Sequence, residues 1–204
     1  MKIICIGRNF IEHAQELGND KPLSPVIFLK PDTALLRNND PFFIPDFSNE
    51  IHHEVEVVIK INRLGKNIQP KFAHKYYDEL GLGVDFTARD LQSELRKQGL
   101  PWEKAKGFDS SAAISKKFIR KSELGDLNNL SFHLEKNGKK VQEGNTNKMI
   151  FNLEEIICYV SKFFTLKIGD LIFTGTPSGV NKVSINDVLT GYLEEYKLFD
   201  FKIK

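Results

Sequence analysis

Cysteine and long apolar runs are scarce in this chain of 204 residues. Its two cysteines, Cys5 and Cys158, both lie in apolar sequence and are interpreted as buried thiols, with a single disulfide between them as the alternative. The first apolar run ends at Arg8 and is too short for the core of a signal peptide. We therefore expect a cytoplasmic protein.

An excess of charge of one sign is also missing. The chain has 29 Lys and Arg against 27 Asp and Glu, a formal net charge of +2, and no dense basic block. Basic residues do not alternate with aromatic ones, so we expect no nucleic-acid partner, and no basic amphipathic segment indicates a membrane partner. No linker, repeat or low-complexity tract divides the chain. We therefore expect one domain over residues 1–204.

Residues 51–59 read IHHEVEVVI and carry two carboxylates where a buried strand would carry apolar side chains. Because side chains alternate along a strand, Glu54 and Glu56 share one face and the valines between and after them share the other. Adjacent carboxylates repel each other, so we expect a cation between them, most simply a divalent metal ion with oxygen ligands. The alternative is a half-solvated strand with an ordinary polar face.

A third carboxylate follows further along the chain. The run LGVD is typical of a buried strand that ends at Asp85, and a helix is predicted from about Thr87 to Gly99. Asp85 is either a turn or capping residue or, together with Glu54 and Glu56, an oxygen ligand of Mg²⁺ or Mn²⁺.

Basic and polar side chains near these carboxylates are candidates for binding an acidic substrate. Arg89 and Gln92 share one face of the predicted helix, where they could bind a substrate carboxylate. The alternative is an ordinary solvent-facing polar stripe. Lys106 would balance the negative charge that three carboxylates and a divalent ion leave, and could donate a proton. Lys30 ends a predicted strand and Thr176 lies in a Gly/Pro loop; a solvated lysine and a plain turn are their alternatives.

His13 and Glu16 lie three residues apart in a predicted helix over residues 10–17. On one face of that helix the carboxylate can accept from one imidazole nitrogen and leave the other nitrogen free as a base. The alternative is a solvated surface pair.

The remaining elements follow from turn signals and periodicity. We predict a hairpin of residues 131–136 and 140–143 around Asn137-Gly138, an amphipathic helix over 152–162, a short helix over 73–80, and tail strands in 187–204 that break at Gly191.

Six motifs, in this order and at this spacing, together resemble the fumarylacetoacetate hydrolase superfamily over nearly the whole chain. They are GRN at 7–9 followed by His13 and Glu16, LKP at 29–31, HEVE at 53–56, DFTARDLQ at 85–92, AKGFD at 105–109 and TGTPSGV at 174–180. The likeness is to the short branch that includes acylpyruvate hydrolases, oxaloacetate decarboxylases and related isomerases or tautomerases.

The resemblance implies an α+β, β-rich fold: a mixed β-sandwich roll of the fumarylacetoacetate hydrolase C-terminal type with a short N-terminal lid helix, usually in a homodimer. It implies Mg²⁺ or Mn²⁺ held by Glu54, Glu56 and Asp85, with Lys106 beside the ion.

The resemblance also assigns roles outside the metal site. It implies that the mobile lid carries His13 and Glu16 as catalytic residues, and Arg8 of the GRN motif joins the substrate-binding candidates. One departure is visible: the family often has a Cys-Pro pair after the segment matching Phe108-Asp109, whereas this chain has SSAA at 110–113. This departure leaves the geometry of that loop open.

These residues predict a metal-dependent hydrolase or decarboxylase that cleaves the carbon-carbon bond of small 2-oxo acids, namely acylpyruvates or oxaloacetate. A 2-oxo acid can bind a metal ion through its carboxylate and keto oxygens, and bond cleavage develops enolate charge that the ion and Lys106 would stabilise. For hydrolysis, His13 oriented by Glu16 would activate a water. The alternatives are an isomerase or tautomerase of 2-hydroxy-dienoates or oxaloacetate, and a non-catalytic metal-bound domain that binds a ligand.

Overall fold

The structure is a computed structural model that describes residues 1–12 and 21–204. The predicted lid residues His13 and Glu16 lie outside these ranges.

Strands dominate the described part of the chain. In order they are β1 (Ile3–Gly7), β2 (Val26–Lys30), β3 (Leu35–Leu36), β4 (Ile51–His53), β5 (Val55–Ile61), β6 (Tyr77–Asp85), β7 (Thr87–Ala88), β8 (Ala112–Ile114), β9 (Ile119–Arg120), β10 (Ser131–Lys136), β11 (Lys139–Asn145), β12 (Leu171–Phe173), β13 (Asn181–Lys182), β14 (Val188–Leu193) and β15 (Tyr196–Lys202). The α-helices are α1 (Pro70–Ala73), α2 (Arg89–Gln98), α3 (Glu103–Lys106) and α4 (Leu153–Phe163). None of these helices is long and apolar enough to span a membrane.

The strands form three sheets. The largest has the order β2-β1-β12-β5-β6-β8-β3, with β9 also paired to β6, and it is mixed because β1 runs parallel to β12 and β3 parallel to β8. A four-stranded antiparallel sheet has the order β11-β10-β14-β15, and a small sheet has the order β13-β4-β7. The mixed sheets with few helices confirm the predicted α+β, β-rich class.

The two faces of β5 belong to different parts of the core, as the alternating pattern predicts. Val55, Val57 and Ile59 are buried in the larger hydrophobic cluster, whereas Val58 packs in a second cluster with Ile3. Each such aliphatic side chain contributes about 1.5–3 kcal/mol when fully buried. Glu56 is on the same face as Val58 and is also buried.

Three predicted local elements are confirmed: a hairpin by its turn, one helix by its N-terminal cap and another by its C-terminal glycine. The hairpin turns at Asn137 and Gly138, whose φ angles of 55° and 74° are those of a type I′ turn. Helix α4 begins with a capping box in which Asn152 and Glu155 exchange hydrogen bonds of 2.8 and 2.9 Å. Helix α2 ends at Gln98 and is capped by Gly99, which has a left-handed φ of 67°.

Two predicted elements are wrong. Residues 73–80 are not a helix: α1 ends at Ala73, and β6 begins at Tyr77 because residues 77–80 pair with β5, so tertiary pairing overrides local helical preference. The tail does not break at Gly191 either, because this glycine lies inside β14. A Cβ atom at this position would lie 2.2 Å from Cζ of Phe199, so the glycine makes room for a ring.

Candidate active site

Three buried carboxylates meet where the start of β5 lies beside the end of β6. The antiparallel register pairs Glu56 with Gly83, and the backbone N–H of Asp85 donates to the carbonyl of Glu54 at 2.8 Å. One oxygen from each of Glu54, Glu56 and Asp85 lies within 4.8 Å of the others. These residues are 4%, 2% and 1% exposed, so the alternative of a half-solvated polar face is wrong.

The charge of Glu56 has little compensation from the described residues. Its carboxylate accepts the backbone N–H of Gly175 at 2.7 Å, but it forms none of the ion pairs found in this part of the chain. Burial raises the pKa of Glu56 well above its ordinary value, and the charges of Asp85 and Glu54 raise it further, against smaller opposing effects of Gly175 and Lys106. A bound cation would offset the buried charge of Glu56.

Gly175, whose N–H donates to Glu56, lies close to the backbone of Ile6 and Asn9 at the end of β1. It has a φ of 106°, and a Cβ atom would lie 2.6 Å from the Cβ of Asn9. The amide of Asn9 in turn donates to the carbonyls of Thr174 at 2.7 Å and Phe151 at 3.0 Å. These contacts fix the two loops of the GRN and TGTPSGV motifs against each other.

Lys106 bridges two of the carboxylates from the end of α3. Its Nζ lies 2.8 Å from both Glu54 Oε2 and Asp85 Oδ2 and 2.5 Å from Thr87 Oγ1. Burial lowers the pKa of Lys106, but the carboxylates of Asp85 and Glu54 outweigh this effect and raise it overall. Lys106 is therefore a fixed ammonium donor that faces the pocket.

Lys30, a predicted substrate ligand, lies behind the carboxylates and does not line the pocket. Its buried Nζ is 2.7 Å from Asp85 Oδ1, 3.3 Å from the carbonyl of Phe86 and 3.0 Å from both the carbonyl and Oγ of Ser111, and it also contacts the carbonyl of Lys106. Because Lys30 is outside the pocket lining and its Nζ is surrounded by protein acceptors, we assign Lys30 to holding Asp85 in place.

Arg89 and Gln92 act as a pair on the first turn of α2. Arg89 donates to Glu54 Oε1 and to Gln92 Oε1, and its Nε lies 3.5 Å from His52 Nδ1. Burial and the nearby charge of Arg89 lower the pKa of His52 to about 4, so this imidazole is neutral and accepts. Because its oxygen accepts from Arg89, the amide orientation of Gln92 is fixed and it can present its NH₂ group to a ligand.

A pocket opens above the carboxylates, and most of the predicted site residues line it. The predicted site residues that line the pocket are Arg8, Glu54, Glu56, Asp85, Arg89, Gln92, Lys106 and Thr176. Arg96 and Trp102 also line it, and neither was predicted from the sequence. The catalytic candidates His13 and Glu16 lie outside the described ranges.

The outer part of the pocket is basic. Arg8 has a left-handed φ of 60°, and its guanidinium carbon lies 5.9 Å from the centre of the Trp102 ring. Burial lowers the pKa of Arg8, and the charge of Arg96 lowers it further. Arg96 is seven residues after Arg89 on α2, which places the two on one helix face about 10 Å apart along the axis.

Comparison with known proteins agrees with this geometry. A family model described as fumarylacetoacetate (FAA) hydrolase C-terminal matches residues 2–197. The chain belongs to the fumarylacetoacetate hydrolase family. It is 45% identical over 189 residues to an oxaloacetate decarboxylase of Dictyostelium discoideum, which covers 92% of this chain and 86% of that protein. It is 40% identical to an oxaloacetate tautomerase of Escherichia coli, covering 97% of this chain and 90% of the relative.

A solved member of the family has the same fold. The fumarylpyruvate hydrolase of Pseudomonas aeruginosa, in complex with Mn²⁺ and pyruvate, superposes with a TM-score of 0.93 at 31% identity, covering 100% of this chain and 89% of that one. The predicted β-sandwich roll is confirmed by this match. The family thus includes decarboxylase, hydrolase and tautomerase enzymes.

The carboxylate cluster fits the divalent metal that the family resemblance implies. All three candidate ligands are carboxylates, which supply the hard oxygen donors that Mg²⁺ and Mn²⁺ prefer. Their oxygens converge within 4.8 Å, and the charge of Glu56 has little compensation from the described residues. The donor set does not distinguish Mg²⁺ from Mn²⁺.

The departure from the family motif at residues 110–113 is accommodated by a regular strand. Ser110 takes a left-handed φ of 62°, after which residues 112–114 form β8 and pair with both β6 and β3. Ser111 is fully buried, and its Oγ donates to the carbonyl of Lys106 at 2.9 Å while accepting from Lys30. The loop therefore links the two site lysines.

Sequence reasoning missed several residues that support the site. These are His52, Thr87, Arg96, Trp102, Ser111 and Gln142. Thr87 and Arg96 lie within or next to the predicted helix, and extending the i, i+3, i+7 pattern from Arg89 would have found Arg96. Gln142 carries no such signal, because it comes from a different sheet.

Proposed function

We propose that this protein is a metal-dependent enzyme that cleaves a carbon-carbon bond of small 2-oxo acids, by decarboxylation of oxaloacetate or hydrolysis of acylpyruvates. The observation that carries the proposal is the convergence of three buried carboxylates, within 4.8 Å, at the base of a pocket rich in hydrogen-bond donors. The names of the decarboxylase and fumarylpyruvate hydrolase relatives support the same substrate class.

Glu54, Glu56 and Asp85 are the proposed ligands of Mg²⁺ or Mn²⁺. When bound, the ion supplies Lewis-acid polarisation of the keto oxygen of the substrate. The Mn²⁺ in the Pseudomonas aeruginosa hydrolase complex supports this assignment.

The donors of the pocket have distinct roles in the proposal. The NH₂ group of Gln92 and the hydroxyl of Thr176 bind the carboxylate end of the 2-oxo acid, and Arg89 holds Gln92 in place. Lys106 presents its ammonium to the oxygen on which negative charge develops. His13, oriented by Glu16, removes a proton from the attacking water when the substrate is an acylpyruvate.

Charge favours a dicarboxylate over a monocarboxylate substrate. Among the described residues of the carboxylate cluster and its ion-pair partners, the carboxylates of Glu54, Glu56 and Asp85 are balanced in number by the cations of Lys30, Lys106 and Arg89, so a divalent ion would leave two positive charges in this set. A dicarboxylate cancels both charges.

The outer arginines fit the same substrate class. Arg96 lies about two helical turns beyond Arg89 along α2, and Arg8, after β1, lines the same pocket, so the two can bind the distal carboxylate of an elongated diacid.

The proposal extends to the form in which the enzyme works. We propose a single catalytic domain over residues 1–204, supported by the family match over residues 2–197. The homodimer and the cytoplasmic location are proposed from the family resemblance and the sequence composition.

A panel assay tests the proposal. We expect turnover of oxaloacetate, fumarylpyruvate or both with Mg²⁺ or Mn²⁺, a lower kcat/KM for the monocarboxylate acetylpyruvate by at least about tenfold, and loss of activity with a chelator. Pyruvate release, followed by a coupled dehydrogenase, measures each reaction. Full activity in chelator, or no turnover of any member of the panel, would contradict the proposal.

The second candidate function is tautomerisation of oxaloacetate, favoured by the relative with that name at 40% identity. The variant His13→Ala separates the candidates, because hydrolysis needs an activated water and tautomerisation moves only a proton. We expect this variant to lose at least about 100-fold in hydrolysis. Keto-enol interconversion is followed by ultraviolet absorbance. If His13→Ala keeps the wild-type rate of this interconversion and the wild-type protein cleaves no carbon-carbon bond, the enzyme is a tautomerase.

A further inference from the structure

Gln142 is a buried glutamine whose amide orientation is fixed by backbone groups. It lies on β11 and is 2% exposed. Its Oε1 accepts the backbone N–H of Val55 at 3.1 Å, and its Nε2 donates to the carbonyl of Pro177 at 3.0 Å. Because a backbone N–H can only donate and a carbonyl can only accept, these contacts determine which end of the amide is oxygen.

His53 reinforces the same orientation. Its Nδ1 lies 2.8 Å from Gln142 Oε1, so this nitrogen carries the proton and donates. Gln142 Oε1 therefore accepts from two donors, and a flipped amide would place NH₂ against both.

The fixed amide determines the direction of the Thr176 hydroxyl. Gln142 Nε2 donates to Thr176 Oγ1 at 2.9 Å, so the hydroxyl proton must point elsewhere. Among the described residues, the only acceptor near it is the carbonyl of Pro177 at 3.5 Å, which is beyond the usual range for O–H···O and already accepts from Gln142. Thr176 is 3% exposed and lines the pocket.

We propose that Gln142 is a positioning residue that makes the Thr176 hydroxyl a hydrogen-bond donor toward a carboxylate or keto oxygen of the substrate. The inference rests on the proposed function, in which Thr176 binds the 2-oxo acid. Gln142 also connects Thr176 to β5, because its Oε1 accepts from the backbone N–H of Val55, which lies between the candidate ligands Glu54 and Glu56. One amide from the four-stranded sheet thus sets the distance between the donor and the metal site.

The first test removes the donor. Thr176→Val is expected to raise the Kd of pyruvate, measured by calorimetry in the presence of Mn²⁺, at least about tenfold, whereas Thr176→Ser keeps the hydroxyl and stays within about threefold. Thr190→Val, at a buried threonine of β14 outside the pocket, is the matched control and is expected to bind as wild type. Wild-type affinity in Thr176→Val would overturn the proposal.

The second test is a double-mutant cycle. Gln142→Met keeps the size of the side chain but has no donor, and we expect the Kd of pyruvate and the KM to rise about fivefold at nearly constant kcat. Added to Thr176→Val, it is expected to raise Kd by less than about twofold more, because the hydroxyl through which it acts is gone. Multiplicative effects would mean that Gln142 acts through the fold and would overturn the proposal.

Two outcomes need separate interpretation. If Gln142→Met does not accumulate as a folded protein, judged by circular dichroism, the comparison of Thr176→Val with Thr176→Ser still decides whether the hydroxyl donates. If wild-type protein neither binds pyruvate nor turns over the panel, the proposed function fails and this inference fails with it. Wild-type turnover with an unaffected Thr176→Val variant refutes the inference alone.

Discussion

Replacing Glu56 with glutamine is expected to abolish metal-dependent turnover in a protein that, without metal, is at least as stable as the wild type. Glu56 is the cleanest of the three candidate ligands to change, because Glu54 and Asp85 are paired with cations that their removal would leave uncompensated. Glutamine keeps an oxygen to accept from Gly175 and removes a buried charge that the described residues do not offset.

The size of the effect and its control can be stated. We expect metal affinity to fall at least about 100-fold, more than the loss of an outer hydrogen-bond partner of a ligand causes. Calorimetric titration with Mn²⁺, turnover with saturating oxaloacetate and thermal denaturation in chelator measure the three quantities. Glu79→Gln, in an exposed ion pair with Lys60, is the matched control and should leave all three unchanged. Full turnover in Glu56→Gln would refute the metal assignment.

The strand that carries Glu54 and Glu56 could be predicted because its unusual feature, two carboxylates in an otherwise apolar strand, is visible in the local sequence. Alternation places Glu54 and Glu56 on one face whatever the rest of the chain does, and the run before Asp85 is typical of a buried strand. The Asn137-Gly138 turn and the Asn152 cap are equally local. These parts of the prediction needed no information about distant residues.

Other parts depended on partners that are distant in sequence. Residues 73–80 form a strand because β5 pairs with them, and this pairing leaves no mark on their own periodicity. Gln142 lies 34 residues before Thr176 and on another sheet, so spacing could not connect the two. Such contacts become visible only when the sheets are assembled.

Lys30 and Lys106 show that local sequence does not determine which side chain faces the pocket. Both follow strands or turns near acidic residues, and both were candidates for facing the substrate. Lys106 does line the pocket, whereas Lys30 lies behind Asp85 among the carbonyls of Phe86, Lys106 and Ser111. Which lysine faces the ligand depends on how β2 packs against the loop before β8.

The different surroundings of the lysines predict different effects of the same substitution. Lys30→Met is expected to lower the free energy of unfolding by about 3–5 kcal/mol, because it leaves part of the charge of Asp85 and several buried carbonyls without their donor. For a chain of this size that corresponds to a fall in Tm of roughly 10 °C. Lys106→Met is expected to lose turnover with a smaller fall in Tm, since Glu54 keeps Arg89 and Asp85 keeps Lys30.

Denaturation in urea and by heat, together with the oxaloacetate assay, distinguishes these roles. Lys60→Met is the matched control: its ion pair with Glu79 is largely exposed, and its loss is expected to cost about 0–1 kcal/mol without changing turnover. If Lys30→Met kept wild-type stability but lost substrate affinity, Lys30 would reach the substrate after all. A large loss of stability with residual affinity for pyruvate would instead assign Lys30 to the support of Asp85, because only a lysine that is part of the fold can unfold the protein when it is removed.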